Sequence, residues 1–550
     1  MKVDKLHIRS RFKNLENVKV DFDEDHLMTV VVGRNGSGKS NVLEALVSIF
    51  RNLDLGETPP FSYVLNYRLG EPHKQNQPSE RWLEITIDAN PARGTLAKQY
   101  EIHVRDLLND DTPKDMFDEQ FSGIAIPFSK VKRDKAGKAP FLPNYVFAYY
   151  SGPSDRLEHY CQKHRSNFYK KLLKDEVDLK GDIRPLFYAK PNHSQFVLLA
   201  FFLSKNSGPE SEFLREHLGI EGLDSIHFVM RRAGWTRAEN KKELFWGAYG
   251  VVRTFLDTLY PHVISPVKVT RNEGMTLTGK GSSNEFFHLF LPNVEALREF
   301  AEGLQPDELF KMLESTLLSE IISEVSIRVK VSSSKEPLTF RELSEGEQQL
   351  LTVLGLLKFT GGKDSLFLLD EPDTHLNPSW AVKYLKFLRE FVPNHETSHL
   401  LMVTHHPLAI AELKKEQVQV MWRDESYNVH SNEPYIDPRG AGFMATLTEV
   451  FGLSSTLDLD TQSLLDERNE LAHNVERSEE QSNRLDLLND ELNRLGFSLE
   501  NRDPLYSDFL LAWQDLKYTD KPPLTPENAA KRRLAMKNVI EALKKKSGDS

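Results

Sequence analysis

Eight consecutive residues near the start of the chain have the composition of a phosphate-binding loop. They are Gly33, Arg34, Asn35, Gly36, Ser37, Gly38, Lys39 and Ser40. Glycines at this spacing let backbone N–H groups turn inward and cradle phosphate oxygens at the beginning of a helix. In this pattern the lysine ammonium reaches the β- and γ-phosphates of a nucleotide, and the serine hydroxyl coordinates Mg²⁺. The loop therefore predicts a nucleotide site with Mg²⁺, and a plain glycine-rich turn is the alternative interpretation.

Two carboxylates follow a short apolar run in the second half of the chain. Leu366 to Leu369 are apolar, and Asp370 and Glu371 come directly after them. A buried strand would deliver both side chains to its carboxyl end, where ligands bind in open α/β sheets. We predict that Asp370 belongs to the Mg²⁺ shell and that Glu371 orients or deprotonates an attacking water. The alternative is an acidic loop after a strand.

A second apolar run ends in two histidines, His405 and His406. A histidine at the same edge of the sheet can donate a hydrogen bond to a γ-phosphate. The alternative is that these are two surface histidines, and it applies more strongly to His406 than to His405.

The segment LSEGE, from Leu343 to Glu347, precedes an apolar helix pattern. Ser344 and Glu347 have the spacing of a capping box, so a well-capped core helix is one interpretation. A helix N-terminus with a serine is also a favourable place for an anion. Since the loop around Lys39 already supplies a phosphate cradle, we predict that Ser344 and Gly346 close over a nucleotide held by a second copy of the chain.

The elements that must position these side chains are typical of an α/β fold. KVDKLHIRS and ENVKVDFD alternate like half-buried strands, whereas LMTVVVG, DSLFLLD and HLLMVTHH are continuous apolar strands. We predict a nucleotide-binding head with a large insertion and a helical tail. Its parts are residues 1–150 (N-terminal part of the head, with the phosphate loop), 151–330 (mainly helical insertion), 331–442 (C-terminal part of the head) and 443–550 (helical tail).

Composition limits the class of protein. The chain has 550 residues, of which 39% are hydrophobic and 27% charged, the balance of a soluble protein. No apolar run approaches the roughly 20 residues of a membrane span, and the N-terminus lacks the apolar core of a signal peptide. The single cysteine, Cys161, excludes an internal disulfide framework and a cysteine-based zinc site. We predict a cytoplasmic protein without membrane contact. The net charge of −11 argues against a uniformly basic nucleic-acid binder, although local basic segments such as Arg231–Lys242 allow some nucleic-acid contact.

In combination, the phosphate loop, Leu343–Glu347, Asp370-Glu371-Pro372 and His405 resemble the ABC-type ATPases of the RecF, SMC and Rad50 kind. The resemblance covers roughly residues 1–50 and 335–410. It implies an α/β ABC-type head that binds ATP and Mg²⁺ and forms ATP-sandwiched dimers. It also implies that Asn377 lies in the D-loop, which crosses the dimer interface, and that His405 is the switch histidine. No Q-loop glutamine can be placed, because the strand ending in YYSGPSDR occupies its position.

A short head with a large insertion and a helical tail is similar to the PtuA-type ATPases of Septu systems, including those attached to retrons. This likeness implies a regulatory ATPase of an antiphage complex, without nuclease activity of its own, that controls a separate HNH-type nuclease. In retron versions it implies a reverse transcriptase and its RNA–DNA product as further partners.

Two other functions remain open. One is a RecF-like DNA-binding ATPase in DNA repair. The other is an autonomous nuclease of the overcoming-lysogenization-defect type, which is disfavoured because no Toprim motif follows His405. Asp458 and Asp460 form the only Asp-x-Asp pair there, and we interpret them as a helix-start cap.

The helical tail is the candidate docking region for a partner. Its charged helices carry leucines that could form a contact stripe or could close the tail on itself. Large apolar residues such as those further along the tail are common interface anchors. The two sets are Leu464, Leu471, Leu485, Leu488 and Leu495, and then Leu505, Phe509, Leu510 and Trp513.

Overall fold

The computed structural model describes residues 1–23, 25–72, 79–109, 123–134, 137–174, 184–204, 208–236, 243–273, 282–453, 457–474, 477–495, 533–535 and 537–538. The strands are β1 (Lys2–Ile8), β2 (Val18–Asp21), β3 (Met28–Gly33), β4 (Tyr63–Gly70), β5 (Trp82–Ala89), β6 (Tyr100–Asp106), β7 (Ile124–Ile126), β8 (Tyr145–Tyr150), β9 (Leu186–Tyr188), β10 (Ile220–Arg231), β11 (Ile264–Glu273), β12 (Ser282–Leu291), β13 (Ile322–Val331), β14 (Leu338–Thr339), β15 (Ser365–Asp370), β16 (Ser398–Val403), β17 (Val418–Arg423) and β18 (Val429–Asn432).

The α-helices are α1 (Lys39–Leu55), α2 (Leu96–Gln99), α3 (Glu158–Leu172), α4 (His193–Leu203), α5 (Pro209–Glu212), α6 (Gly250–Leu259), α7 (Val294–Phe300), α8 (Pro306–Leu318), α9 (Glu345–Thr360), α10 (Pro378–Phe391), α11 (Gly442–Ala445), α12 (Leu459–His473) and α13 (Glu479–Arg494). The chain divides into two compact units. The first contains Met1–Thr29 and Ser40–Ala409, and the second contains Val30–Lys39 and Ile410–Ser550.

Parallel strands form the part of the first unit that carries the predicted carboxylates. β15 pairs in parallel with β16 on one side and with β8 on the other, and β8 pairs in parallel with β9. Every residue of β15 and β16 is buried. Strands covered on both faces need continuous apolar sequence, which is why these two strands could be predicted from their apolar runs. The parallel pairing places the carboxyl ends of β15 and β16 together, with Asp370 opposite Val403.

A second sheet of the first unit is antiparallel. Its strand order is β2-β1-β4-β5-β6-β7. β4 alternates between buried and half-buried residues along its whole length, the pattern of a strand with one face in the core. The predicted strands in KVDKLHIRS and ENVKVDFD are confirmed as β1 and β2.

The predicted insertion, residues 151–330, contains the helices α3 to α8 but also a sheet that the sequence did not reveal. β10, β11 and β12 join β13 and β14 in the antiparallel order β11-β12-β10-β13-β14. The runs IHFVM in β10 and FFHLFL in β12 lack a clear apolar/polar alternation, because apolar side chains, phenylalanine among them, lie on both faces. Periodicity alone therefore did not distinguish these strands from buried helix.

The second unit contains the start of the phosphate loop and the tail. β17 pairs in parallel with β3 and antiparallel with β18. α12 and α13 pack against each other. Asp458 caps α12 by accepting a hydrogen bond from the Thr461 N–H at 2.9 Å, so the interpretation of the Asp-x-Asp pair as a helix cap is confirmed.

The predicted contact stripe of the tail is only partly available. Leu488 is completely buried, together with Leu492. Leu495 remains 54% exposed, and Leu487 is 63% exposed. Some of the leucines therefore belong to the core of the second unit. Leu505, Phe509, Leu510 and Trp513 lie outside the described residues.

Among the described residues, no helix is both long enough and apolar enough to cross a membrane.

Candidate nucleotide site

The phosphate loop lies between β3, which ends at Gly33, and α1, which begins at Lys39. At Gly33 the backbone has φ +145°, and a Cβ there would lie 2.1 Å from the Met421 carbonyl oxygen of β17. Only glycine fits so close an approach of two strands. The Lys39 ammonium donates to the carbonyl oxygens of Gly33 at 2.9 Å and Arg34 at 3.0 Å. The loop is thus folded around its own lysine.

Two other side chains of the loop have contrasting surroundings. The Ser37 hydroxyl is buried and has no hydrogen-bond partner among the described residues, although its N–H donates to the Arg34 carbonyl at 3.2 Å. The Arg34 guanidinium donates to the Gly452 carbonyl at 2.7 Å. Arg34 therefore ties the loop to the segment that follows α11, whereas Asn35 is exposed.

The predicted Mg²⁺ ligands lie together in the first unit. The Ser40 hydroxyl donates to Asp370 Oδ1 at 2.8 Å. Asp370 is the last residue of β15 and is fully buried. A serine hydroxyl and a carboxylate in contact, directly after a phosphate loop, form the oxygen donor set that Mg²⁺ prefers. Ser40 and Asp370 therefore fit bound Mg²⁺.

Glu371 has an unusual backbone. Its φ is +53°, a left-handed conformation that is costly for a residue with a side chain and is often found at functional sites. Its N–H donates to the Val403 carbonyl of β16 at 2.8 Å. Its carboxylate lies 3.2 Å from His405 Nε2. The structure therefore brings the two predicted catalytic side chains into direct contact.

His406 is turned towards the main chain. Its N–H donates to the Thr404 hydroxyl, and its Nδ1 accepts from the Leu408 N–H at 3.3 Å. Burial lowers the pKa of His406, which favours the neutral form. These contacts support a structural role for His406 and leave His405 as the histidine that contacts Glu371.

Asp373 is a buried carboxyl close to the site. It accepts a hydrogen bond from the Thr404 hydroxyl at 2.6 Å. Burial raises its pKa to about 6, an effect that the Thr404 hydrogen bond opposes. Asp373 thus links the loop after β15 to the end of β16.

The LSEGE segment begins α9 as a complete capping box. The Ser344 hydroxyl accepts from the Glu347 N–H at 3.3 Å, and Glu347 Oε2 accepts from the Ser344 N–H at 2.6 Å. Ser344 is exposed, whereas Gly346 is buried. A Cβ on Gly346 would lie 2.5 Å from the His375 carbonyl oxygen. Gly346 is therefore required by contact within the chain, whatever Ser344 faces in an assembly.

Gln349 is a site residue that sequence reasoning missed. It is 4% exposed. Its Nε2 donates to the Glu371 carbonyl at 3.3 Å, and its Oε1 accepts from the His375 N–H at 3.1 Å. It also hydrogen-bonds the Tyr149 hydroxyl, whose pKa burial raises to about 12. One side chain of α9 thus contacts the strand β8 and both ends of the loop that follows β15.

The predicted D-loop residue Asn377 caps α10. Its side chain accepts from the Trp380 N–H at 3.0 Å. The contact explains an asparagine before Pro378 as a helix start, and it is compatible with the D-loop position implied by the resemblance.

The residue directly after β8 is not a glutamine. Ser151 occupies that position, and its N–H donates to the Asp370 carbonyl at 3.3 Å. A second missed residue, Arg156, reaches the site from this segment. Its Nη2 donates to Asn41 Oδ1 at 2.7 Å, and its Nη1 lies 3.9 Å from Asp370 Oδ2. The only sequence signal was an arginine six residues after the end of a core strand, which is too common to be noticed.

The geometry agrees with matches to two families of ATPase domains. Residues 1–178 match the family described as "AAA ATPase domain", and residues 193–411 match the one described as "AAA domain, putative AbiEii toxin, Type IV TA system". The recognition of an ABC-type ATPase from its motifs is confirmed.

Within that class, the chain is similar to the Septu protein PtuA of Bacillus mycoides (strain KBAB4), with 24% identity over 222 residues. The matched region covers 38% of this chain and 31% of that relative, so the likeness spans about a third of the relative's length. Two solved structures with weak likeness are the SMC head bound to the C-winged helix domain of ScpA (13% identity, TM-score 0.31) and the SMC head domain from Thermotoga maritima (12% identity, TM-score 0.30). Each covers 79% of this chain, and the matches cover 98% and 100% of those chains.

Proposed function

We propose that this protein binds and hydrolyses ATP as the regulatory subunit of an antiphage defence complex. ATP held between two heads would control a separate nuclease effector. The observation that carries the ATPase part is the pair of contacts at the carboxyl ends of β15 and β16, Ser40 with Asp370 and Glu371 with His405. The likeness to PtuA supports the defence context.

Each side chain has a distinct task. Bound Mg²⁺ and ATP would supply the metal charge and the phosphoryl group that is transferred to water. Lys39 would exchange its two carbonyl partners for phosphate oxygens, while Ser40 and Asp370 hold the metal. Glu371 would accept the proton of the attacking water. His405, 3.2 Å from the Glu371 carboxylate, would hold that carboxylate in place and donate to the γ-phosphate.

The beginning of α9 supports a sandwich arrangement. Ser344 and Glu345 are exposed. The N-terminus of α9 therefore presents the Ser344 hydroxyl and the positive end of the helix dipole to solvent. Lys39 already provides the phosphate cradle of the same chain. A second copy would therefore receive Ser344 over its nucleotide, with Gly346 holding the helix start against His375.

The effector is proposed from the resemblance. We infer an HNH-type nuclease as the partner, and in a retron setting a reverse transcriptase with its RNA–DNA product. The tail is the proposed docking region because Leu459, Leu487 and Leu495 remain exposed, by 88%, 63% and 54%, on helices rich in charged residues.

Sedimentation of three variants with Mg²⁺ and ATP tests the proposal. Glu371→Gln should keep ATP bound and accumulate as head dimers, since water activation is lost while the phosphate loop is intact. Lys39→Ala should lose nucleotide and remain without ATP-dependent dimers. Ser344→Arg should bind ATP and fail to dimerise, because it places bulk and charge at the interface.

The matched control is Ser334→Arg, an exposed serine in the turn after β13, which should leave dimerisation unchanged. If Glu371→Gln forms no more dimer than Lys39→Ala, the sandwich is wrong. If Glu371→Gln still hydrolyses ATP at the wild-type rate, the assignment of the catalytic base is wrong.

A further inference from the structure

The five-stranded sheet of β10 to β14 has two different faces. One face packs on helices, where Phe228 of β10 meets Phe255 of α6 at 6.1 Å between ring centroids. Both rings are completely buried. The opposite face, here called the outer face, carries the partly exposed His227 and His288 and the exposed Phe290, although Val229 and Phe286 on the same face are buried. A Cβ built on Gly222 of β10, for example, would meet no atom within 4 Å.

Three rings lie together on the outer face. His227 of β10 is directly opposite Phe290 of β12, and cross-strand partners point to the same side of a sheet. The His227 and His288 rings stack with centroids 5.0 Å apart, and the Phe290 ring lies 6.3 Å from His227. Phe290 is 40% exposed. Burial lowers the pKa of both histidines, so these rings are neutral near pH 7.

Cations surround the rings. The Arg271 guanidinium lies 2.6 Å from His288 Nε2 and also covers the Phe286 ring. Arg328 and Lys330 of β13 are exposed and lie on the same face, since Ser326 is opposite His227 and residues two apart in a strand share a side. Acidic side chains also lie beside these cations: Glu324 is paired with Arg341 at 2.9 Å, and Asp224 lies 4.0 Å from Arg328.

These cations contrast with the chain as a whole, whose net charge is −11. A cationic surface on an acidic protein indicates an anionic partner. Exposed aromatic and imidazole rings in the central strands add a second requirement, because such rings stack on unpaired bases. A duplex keeps its bases stacked inside and offers only phosphates to a flat sheet.

We propose that the outer face binds single-stranded nucleic acid. The backbone phosphates would contact Arg271, Arg328 and Lys330, and successive bases would stack on Phe290 and the two imidazoles. The site is separate from the nucleotide site and does not depend on ATP hydrolysis, so it can fail while the proposed ATPase function holds.

Fluorescence anisotropy with a labelled oligothymidylate, without ATP, tests the proposal on the full chain. Phe290→Ala should weaken binding roughly tenfold, as expected for the loss of one stacking platform. Lys330→Ala should lower the slope of log affinity against log salt by about 0.7, the value for one contact to single-stranded phosphate. A hairpin duplex should bind more weakly than the oligothymidylate and respond little to Phe290→Ala.

Two exposed residues provide matched controls. Tyr427→Ala removes an aromatic ring that is 79% exposed in the turn between β17 and β18, and Lys19→Ala removes an exposed cation of β2. Both should bind the oligonucleotide like wild type, and ATP binding by every variant verifies its fold.

Equal affinity of Phe290→Ala and wild type would overturn the proposal, as would an absence of binding by the wild type or a preference for duplex. If Phe290→Ala instead releases a protein partner while oligonucleotide binding is unchanged, the outer face is a protein-docking surface and the proposal is wrong.

Discussion

Gln349 offers the sharpest test of how α9 acts on the loop after β15, which contains Glu371. Its side chain donates to the Glu371 carbonyl and accepts from the His375 N–H, and both atoms belong to the loop that places Glu371. Gln349→Leu keeps a similar side-chain size and removes both hydrogen bonds. We expect slower hydrolysis with unchanged ATP binding, since both lost hydrogen bonds belong to the loop after β15 and neither belongs to the phosphate loop.

The size of the effect follows from the two groups that lose their partner. The Glu371 carbonyl keeps another hydrogen-bond donor, the Thr374 hydroxyl at 2.8 Å. The free-energy cost of losing the Gln349 donor is therefore small at this carbonyl. The His375 N–H loses the Gln349 oxygen, a part-buried hydrogen bond, and a typical intramolecular hydrogen bond contributes about 0.5–1.5 kcal/mol net. If this free energy is lost from the loop conformation that places Glu371, the hydrolysis rate should fall roughly 2- to 12-fold at about 1.4 kcal/mol per factor of ten.

Single-turnover hydrolysis of ATP, with ATP affinity measured in parallel, is the assay. Gln348→Leu is the matched control, because Gln348 donates to the Leu343 carbonyl at 2.8 Å and lies next to Gln349 in the same helix. It should keep a rate close to wild type. A wild-type rate in Gln349→Leu would refute the coupling, and so would an equal loss in Gln348→Leu, since that would reflect damage to the helix start.

Asp373→Asn should stabilise the protein at about pH 8 but not at about pH 4. The pKa of Asp373 in the folded state is about 6, above its ordinary value of 3.8. The wild-type folded state therefore loses roughly 3 kcal/mol of stability as pH rises between these values. Thermal unfolding of both proteins across this range is the measurement, and a pH-independent difference would contradict it. A chain ending after residue 455 should still bind ATP, because Gly452 and its hydrogen bond from Arg34 are retained, and it should no longer retain the nuclease partner in a pull-down. Full retention would place docking outside the tail.

The residues that could be predicted from the sequence are those whose chemistry requires one residue type at one spacing. The phosphate loop, Asp370-Glu371 and the LSEGE capping box are of this kind, and so is Asp458 as a helix cap. The apolar strands could be predicted because burial on both faces requires continuous apolar sequence. The sheet of β10 to β14 could not be predicted, because its outer face carries aromatic and imidazole rings at positions where an alternating strand would have polar residues.

Residues that act through distant contacts could not be found in this way. Arg156 meets Asn41 across 115 positions, and Gln349 meets Glu371 across 22. Either residue type is common and has no fixed spacing from its partner, so only the fold identifies it. The same holds for the contact of Gly346 within the chain, since a Cβ there would lie 2.5 Å from the His375 carbonyl oxygen.

The backbone of Glu371 shows why these distant contacts matter for the site. A left-handed conformation at a glutamate costs roughly 1–3 kcal/mol and persists only where the surroundings hold it. Three neighbours do so here, the Val403 carbonyl, the Gln349 amide and the Thr374 hydroxyl. Val403 belongs to the strand that leads to His405, and Gln349 to the helix that begins with Ser344. Any movement of α9 would therefore act on the conformation of Glu371, which would give the proposed head dimerisation a physical route to control hydrolysis.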